Sequence, residues 1–252
     1  MATATSIEWT EITWNPVRGC SRVSPGCEHC YAERMAHRFS GPGRPYEGLT
    51  RIGKRGEPRW SGKVVTASNL LEEPLRIRQP RMVFVNSMSD LFHDKVPLKY
   101  IQQVFAVMQQ ADWHSFQVLT KRPERCLEIA SSLPWPHNVW LGVSIESAEY
   151  LHRLQTLRAI PSSIRFLSLE PLLGPLRTLN LSSIHWVIVG GESGPGARKL
   201  DISWVREIRE SCLDQRVPFF FKQWGGTRKK AAGRVLDGRT WDEFPVQSIA
   251  AE

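Results

Sequence analysis

Six short runs are apolar almost without interruption: "MVFVNS" from residue 82, "FQVLT" from 116, "VWLGVS" from 139, "IRFLSLE" from 164, "HWVIVGGE" from 185 and "VPFFFKQ" from 217. A strand reads this way when both of its faces are covered, as in a parallel sheet; a strand with one wet face alternates instead. The segments between the runs carry helical spacing. Leu98, Ile101, Phe105 and Met108 fall on one stripe, as do Leu151, Leu154 and Leu157, and again Val205, Ile208 and Cys212. With a further strand at "EITWNP", the chain holds about six or seven βα units. Right-handed crossovers curl such units into a partial or complete parallel (β/α) barrel, TIM-like, while a doubly wound open sheet is the competing α/β arrangement.

The 252 residues are read as a single domain with one interval too long for a simple connection. That insertion, at about 40–80, is rich in Gly and Pro and carries Arg44, Arg51, Lys54, Arg55, Arg59 and Lys63 against Glu47 and Glu57. The formal net charge of the chain is +8. Such a balance favours an anionic partner, because lysines and arginines that neutralise phosphates release condensed counterions. No stretch approaches the roughly 20 apolar residues that span a bilayer. The opening "MATATSIEWTEITW" also lacks the n-region and h-region of a secretory signal. A cytoplasmic protein with no membrane partner is expected.

Three of the five cysteines fall within eleven positions, as Cys20-x6-Cys27-x2-Cys30, after the first strand and running into a helix whose Tyr31, Met35 and Phe39 share a face. An odd, clustered set is a poor disulfide framework, and a metal site fits it better. Three thiolates can hold three irons of a 4Fe-4S cluster and leave the fourth open to a small molecule. A structural zinc would instead need a fourth ligand, from His29, His37, His93 or a distant cysteine, and would make the chain a zinc-stabilised nucleic-acid-binding protein without catalysis. The loop lies on the carboxyl side of a barrel strand, where βα loops build active sites.

Polar residues gather at the carboxyl ends of the other expected strands: Asn86, Ser87, Ser89 and Asp90; Thr120, Lys121 and Arg122; Ser144 and Glu146; Glu170; Glu192. Glu146, Glu170 and Glu192 on successive strand ends also permit an acid and nucleophile pair for glycoside hydrolysis, which leaves the thiols unexplained. The turn "GGESGPG" at 190–196 allows close approach of backbone to adenine or phosphate, or is a loop with no ligand. Trp140 and Trp186 lie inside expected strands and read as core. Trp60, within the basic insertion, is the tryptophan placed to stack on a nucleic-acid base.

The three-cysteine loop after the first strand of a βα barrel resembles that of the radical S-adenosylmethionine superfamily. The segments "WNPVRGCSRVSPGCEHCYAE" and "VNSMSDLFH" resemble a phage-associated three-cysteine branch of it. The superfamily's commonest pattern has three residues between the first two cysteines and an aromatic before the last. Here there are six, with His29 at the aromatic position, and the Ser24-Pro25-Gly26 turn is placed to fold the extra residues back.

The resemblance implies a 4Fe-4S cluster on Cys20, Cys27 and Cys30 and the cofactor S-adenosyl-L-methionine, whose reductive cleavage yields a 5′-deoxyadenosyl radical that abstracts hydrogen from a substrate. It implies contacts to the methionine amino group from Ser87 and Asp90. It implies ribose contacts from Ser144 and Glu146, a carboxylate contact from Lys121 or Arg122, and Glu170 facing the cofactor. It requires an electron donor protein, and it makes Cys126 a candidate hydrogen donor to product. The basic insertion, with Arg51, Lys54, Arg55, Arg59 and Trp60, then suggests a nucleic acid substrate, such as a damaged or modifiable base, against a small metabolite or peptide.

Overall fold

Seven parallel strands in sequential order form the core of the molecule, and that order excludes the doubly wound alternative, whose strand order reverses at a switch point. In the computed structural model, which describes residues 3–177, 179–228 and 231–246, these are β1 (Ile12–Trp14), β2 (Met82–Val85), β3 (Ser115–Thr120), β4 (Val139–Ser144), β5 (Ile164–Leu169), β6 (Trp186–Gly190) and β7 (Phe219–Gln223). Among the described residues five α-helices accompany them: α1 (Tyr31–Arg38), α2 (Leu98–Gln110), α3 (Pro123–Ile129), α4 (His152–Arg158) and α5 (Ile202–Asp214). The sheet curls into a half-barrel. Each expected apolar run is one of these strands.

Alternation within each strand separates two apolar layers. Val83, Val85, Val118, Leu141, Leu167, Val187 and Phe219 face the helices and share one buried cluster with Ile101 and Phe105 of α2, Leu154 and Leu157 of α4 and Ile208 of α5. The intervening residues Phe84, Trp140, Phe166, Trp186 and Phe220 point the other way and, with Trp9, form an aromatic floor inside the half-barrel. Gly142 belongs to that inner face, and a Cβ there would lie 2.4 Å from the Phe166 ring, so the strand must carry glycine for the floor to close. Truncating Phe166 would cost about 3–5 kcal/mol by the usual cavity penalty.

Both edges of the sheet are covered, which keeps the barrel open. Thr3–Ala4 pairs antiparallel with β1. At the other edge, the Phe221 amide donates to the Trp241 carbonyl at 2.9 Å, the Glu243 amide to the Phe219 carbonyl at 3.3 Å, and the Trp186 indole to the Glu243 carbonyl at 2.7 Å. Neither edge then offers its hydrogen-bonding groups to an eighth parallel strand.

The insertion is ordered by its own small sheets. Thr50–Ile52 pairs with Pro58–Trp60 as an antiparallel hairpin, and Val65–Thr66 returns to pair with Val17–Arg18 beside the cysteine loop. Among the described residues no helix is long and apolar enough to cross a membrane.

Candidate metal centre and cofactor cavity

The cysteine loop leaves β1 at the carboxyl end of the half-barrel and is fixed at its start by backbone. Gly19 forms a parallel bridge with Ser89 beyond β2 and has φ +87, and a Cβ there would meet the Lys63 carbonyl oxygen at 2.2 Å, so the position demands glycine. The six residues between Cys20 and Cys27 fold back through a single 3₁₀ turn at Pro25–Cys27, with the Cys27 amide donating to the Ser24 carbonyl at 2.9 Å. Cys30 immediately precedes α1. The three cysteines form no disulfide, are half-buried, and line one cavity of about 800 Å³ above the aromatic floor.

Side chains from four other βα loops and from α1 clamp this loop. Arg122, after β3, donates to the Ser21 carbonyl at 3.0 Å, to Ser21 Oγ at 2.9 Å and to Cys20 Sγ at 3.9 Å. His93 Nδ1 accepts from the Lys95 amide at 3.1 Å, which leaves the proton on Nε2 to donate to Ser21 Oγ at 2.8 Å. Glu146, after β4, accepts from the Gly26 amide at 3.3 Å and from Arg153 Nη1 at 2.9 Å. Arg198, held on Glu192 after β6, donates to the Pro25 carbonyl at 2.9 Å. Arg22 pairs with buried Glu33 of α1 and donates to the Glu28 carbonyl at 2.7 Å.

The electrostatics follow from these contacts. Burial pushes the Cys20 thiol up to about 12, with the Asp90 charge adding to it and Arg122 opposing. Burial likewise raises Cys30 and lowers His93. For Glu192, burial acts upward, but the hydrogen bonds and charge of Arg198 outweigh it and the carboxyl lies below its ordinary value. The donor chemistry fits an iron-sulfur cluster: three free thiols face one cavity, and a metal that displaces the protons of Cys20 and Cys30 stabilises the thiolate form that burial disfavours there.

The structure places several sequence candidates on the cavity wall. Ser87, Asp90, Lys121, Arg122, Ser144 and Glu170 all line it. Asp90, however, is fully engaged: Oδ1 accepts from Thr120 Oγ1 at 2.8 Å and the Phe92 amide at 3.0 Å, while Oδ2 accepts from the Lys121 amide and Arg122 Nη1, both at 3.1 Å. Its carboxylate holds the end of β3 and the guanidinium. The Arg122 guanidinium is spent in turn on Asp90 and the cysteine loop.

Two candidates lie off the cavity wall, and a third is on it but mostly buried. Glu146 is fully buried between Arg153 and Gly26 and is absent from the cavity wall, so it anchors the cysteine loop and does not offer its oxygens to a ribose. Cys126 is 0% exposed in the layer between sheet and helices, which removes it from reach of the cavity as a hydrogen donor. Trp60 is 7% exposed and packs with Ala32, Ala36, Tyr46 and Leu49 under α1, so it belongs mainly to the insertion's core and reaches the cavity wall only at its edge. Trp140 and Trp186 are in the floor, as the strand reading expects. Of the basic insertion, Arg51, Lys54 and Arg55 are exposed, while Arg59 pairs with Glu57 at 2.6 Å. The sequence carries a further short basic run, Arg228, Lys229 and Lys230, of which Lys229 and Lys230 lie outside the described residues.

Two further features shape the cavity, of which the sequence shows the second only as a shared helix face. Lys222, on the inner face of β7, donates to both carboxylate oxygens of Glu170, at 2.6 and 2.8 Å. Its signal is a lysine inside the apolar run "FFFKQ", because a charge enters such a strand only with a partner. The second is the face of α1: Tyr31, Met35 and Phe39, spaced as a stripe, are 45%, 39% and 40% exposed and line the cavity mouth.

A family model described as "Protein of unknown function (DUF5131)" matches residues 4–245. No curated protein sequence matches the chain. Among solved structures, a spore photoproduct lyase double mutant with bound AdoMet and dinucleoside spore photoproduct is similar with a TM-score of 0.48 and 10% identity, over 83% of this chain and 63% of that one. A spore photoproduct lyase complexed with dinucleoside spore photoproduct has a TM-score of 0.45 and 11% identity over the same shares. The chain thus spans less than two thirds of the length of either structure.

Proposed function

The chain belongs to the DUF5131 family, and for this member we propose a radical S-adenosylmethionine enzyme acting on nucleic acid. The observation that carries the reading is the convergence of Cys20, Cys27 and Cys30, free and half-buried, on one cavity at the carboxyl end of a half-barrel. When bound there, a 4Fe-4S cluster supplies one electron to S-adenosylmethionine and a vacant iron for its amino and carboxylate groups.

The chain's own residues prepare the site for that chemistry. Five ion-paired or hydrogen-bonded clamps fix the loop before metal arrives, so the thiols pay little ordering entropy on binding. Ser87 and the buried Asn86, at the end of β2, face the region beside the cysteines where an amino group would be held. Lys121 offers a cation to a carboxylate from the end of β3, and Ser144 a hydroxyl from the end of β4. Glu170 and Lys222 add polar contacts from β5 and β7. The aromatic floor closes the cavity from below against water, which a carbon radical needs.

A zinc-stabilised binding module is the less favoured reading. It requires four ligands about one point. Among the described residues no three His, Cys, Asp or Glu side chains are gathered that way, whereas a cluster gives each cysteine a different iron. The test is anaerobic reconstitution: iron and sulfide bound in cluster stoichiometry, a cubane signature by electron paramagnetic resonance after reduction, and reductant-dependent release of 5′-deoxyadenosine. A colourless protein with stoichiometric zinc would overturn the proposal.

A further inference from the structure

The cavity-facing side of α1 is only partly covered by the fold: the Tyr31 hydroxyl donates to the Ser87 carbonyl, while Met35 and the following Phe39 stay open. Its inner face, Ala32 and Ala36, packs on Trp60 and the rest of the insertion's core, which would complete a surface helix. Yet Tyr31, Met35 and the following Phe39 form a second apolar stripe on the adjacent side, roughly two-fifths exposed at each position and lining the mouth of the cavity that holds the cysteines. A contiguous apolar patch on the rim of a functional cavity marks a docking surface.

The charge beside the stripe names the occupant. The Thr50–Ile52/Pro58–Trp60 hairpin packs directly against α1. In its register Arg51 lies opposite Arg59, a like-charge pair that costs stability unless compensated. Glu57 compensates Arg59 alone. Arg51, Lys54 and Arg55 remain exposed, with no ion pair to any described residue. Apolar and aromatic side chains flanked by excess cations are what a single nucleic-acid strand requires, since bases stack on the former while phosphates follow the latter. A peptide of mixed charge would gain little from three unpaired cations, and a small metabolite would not reach both features.

We infer that α1 and the hairpin form one binding surface for single-stranded nucleic acid, with an unstacked base held against Met35 and Phe39 at the cavity mouth and its flanking phosphates on Arg51, Lys54 and Arg55. The inference rests on the cavity reading for the position of the base, and it moves the stacking role from Trp60 to α1.

The test uses the cluster-loaded full chain, kept anaerobic, with fluorescein-labelled oligothymidylate and oligouridylate of about twelve nucleotides, within the site sizes of such grooves. Binding is read by anisotropy against salt. Phe39→Ala with Met35→Ala is expected to weaken binding roughly 5- to 150-fold, the range of one lost stacking contact. Arg51→Ala, Lys54→Ala and Arg55→Ala together are expected to flatten the log–log salt slope by about two units. An abasic oligonucleotide should bind more weakly and ignore the α1 substitutions while still responding to the hairpin ones. Preference between the deoxy and ribo strands identifies which nucleic acid is the source. Met35→Gln, which keeps the side-chain length, guards against misfolding: an unchanged melting temperature with weakened binding supports the surface. Absence of binding to both strands, or binding indifferent to α1, overturns the inference even where 5′-deoxyadenosine is released. Base-dependent binding without that release sinks the enzymatic reading and leaves the surface standing.

Discussion

The Arg122 guanidinium donates to the Asp90 carboxylate at 3.1 Å, and this buried pair, joining the ends of β2 and β3, aims the remaining guanidinium nitrogen at Ser21 of the cysteine loop. Breaking a buried pair by removing one partner strands the other charge and costs about 3–5 kcal/mol. Arg122→Met is therefore expected to lower the melting temperature by roughly 6–20 °C at this chain size. It should also lower iron retention, because Ser21 loses both of its guanidinium contacts. Arg122→Lys restores the charge without the fork, so stability should recover more than iron content does. Calorimetry and anaerobic iron analysis on the two variants check this.

A pH dependence follows from the opposite end of the barrel. His114 Nδ1 accepts from the Arg81 amide at 3.1 Å, just before β2, and His185 Nδ1 accepts from the Arg165 amide at 3.0 Å, at the start of β5. Burial holds both rings below the ordinary histidine value. A lowered folded-state value means that the unfolded chain binds the proton first. The stabilisation is thus complete above about pH 6.5 and is lost as pH falls from there through the folded-state value. Unfolding free energies from urea titrations should decline below pH 6.5 with a slope of at most about 1.4 kcal/mol per pH unit for each histidine. His114→Gln should remove one share of that slope.

What the sequence makes legible is governed by where a residue's partners come from. Each strand shows in its own apolar run, and the three thiols show in their spacing, since both signals are local. The fate of the polar strand ends does not show. Asp90 and Glu146 look alike in sequence, as acidic residues just past a strand. Their roles are settled by Arg122 from the next βα loop and by Arg153 seven residues on. The burial of Trp60 is hidden for a related reason: the charges around it suggest solvent, while the hairpin register turns its ring inward against α1. The α1 stripe is visible as a shared face, but only the packing of Ala32 and Ala36 beside it shows that this face is left to border the cavity.

Cys126 supplies a control for the cysteine assignments. It sits wholly within the helix-facing core, so Cys126→Ala should leave iron content, 5′-deoxyadenosine release and product distribution unchanged. Its cost is a small cavity, about 1 kcal/mol for a single removed atom of this size. Alanine at Cys20, Cys27 or Cys30 should instead abolish cluster binding one site at a time. Side-by-side iron and sulfide assays on the four variants separate the two classes.

The Glu170–Lys222 pair distinguishes a structural ion pair from a functional one. Both groups line the cavity and both are mostly buried, so Lys222→Met leaves a carboxylate without its main partner and is expected to destabilise the fold. Replacing the whole pair, as Glu170→Leu with Lys222→Met, removes the stranded charge and should return much of that stability, since well-packed apolar substitutes for buried pairs are often neutral. If the pair only braces β5 against β7, activity returns with stability. The polar contacts it offers to the cavity predict otherwise: the double variant should melt near the wild type and keep its iron, yet bind S-adenosylmethionine at least tenfold more weakly, a loss of about 1.4 kcal/mol that matches one charge-assisted hydrogen bond. Equilibrium dialysis of S-adenosylmethionine against the loaded double variant, beside its melting curve, decides between the two.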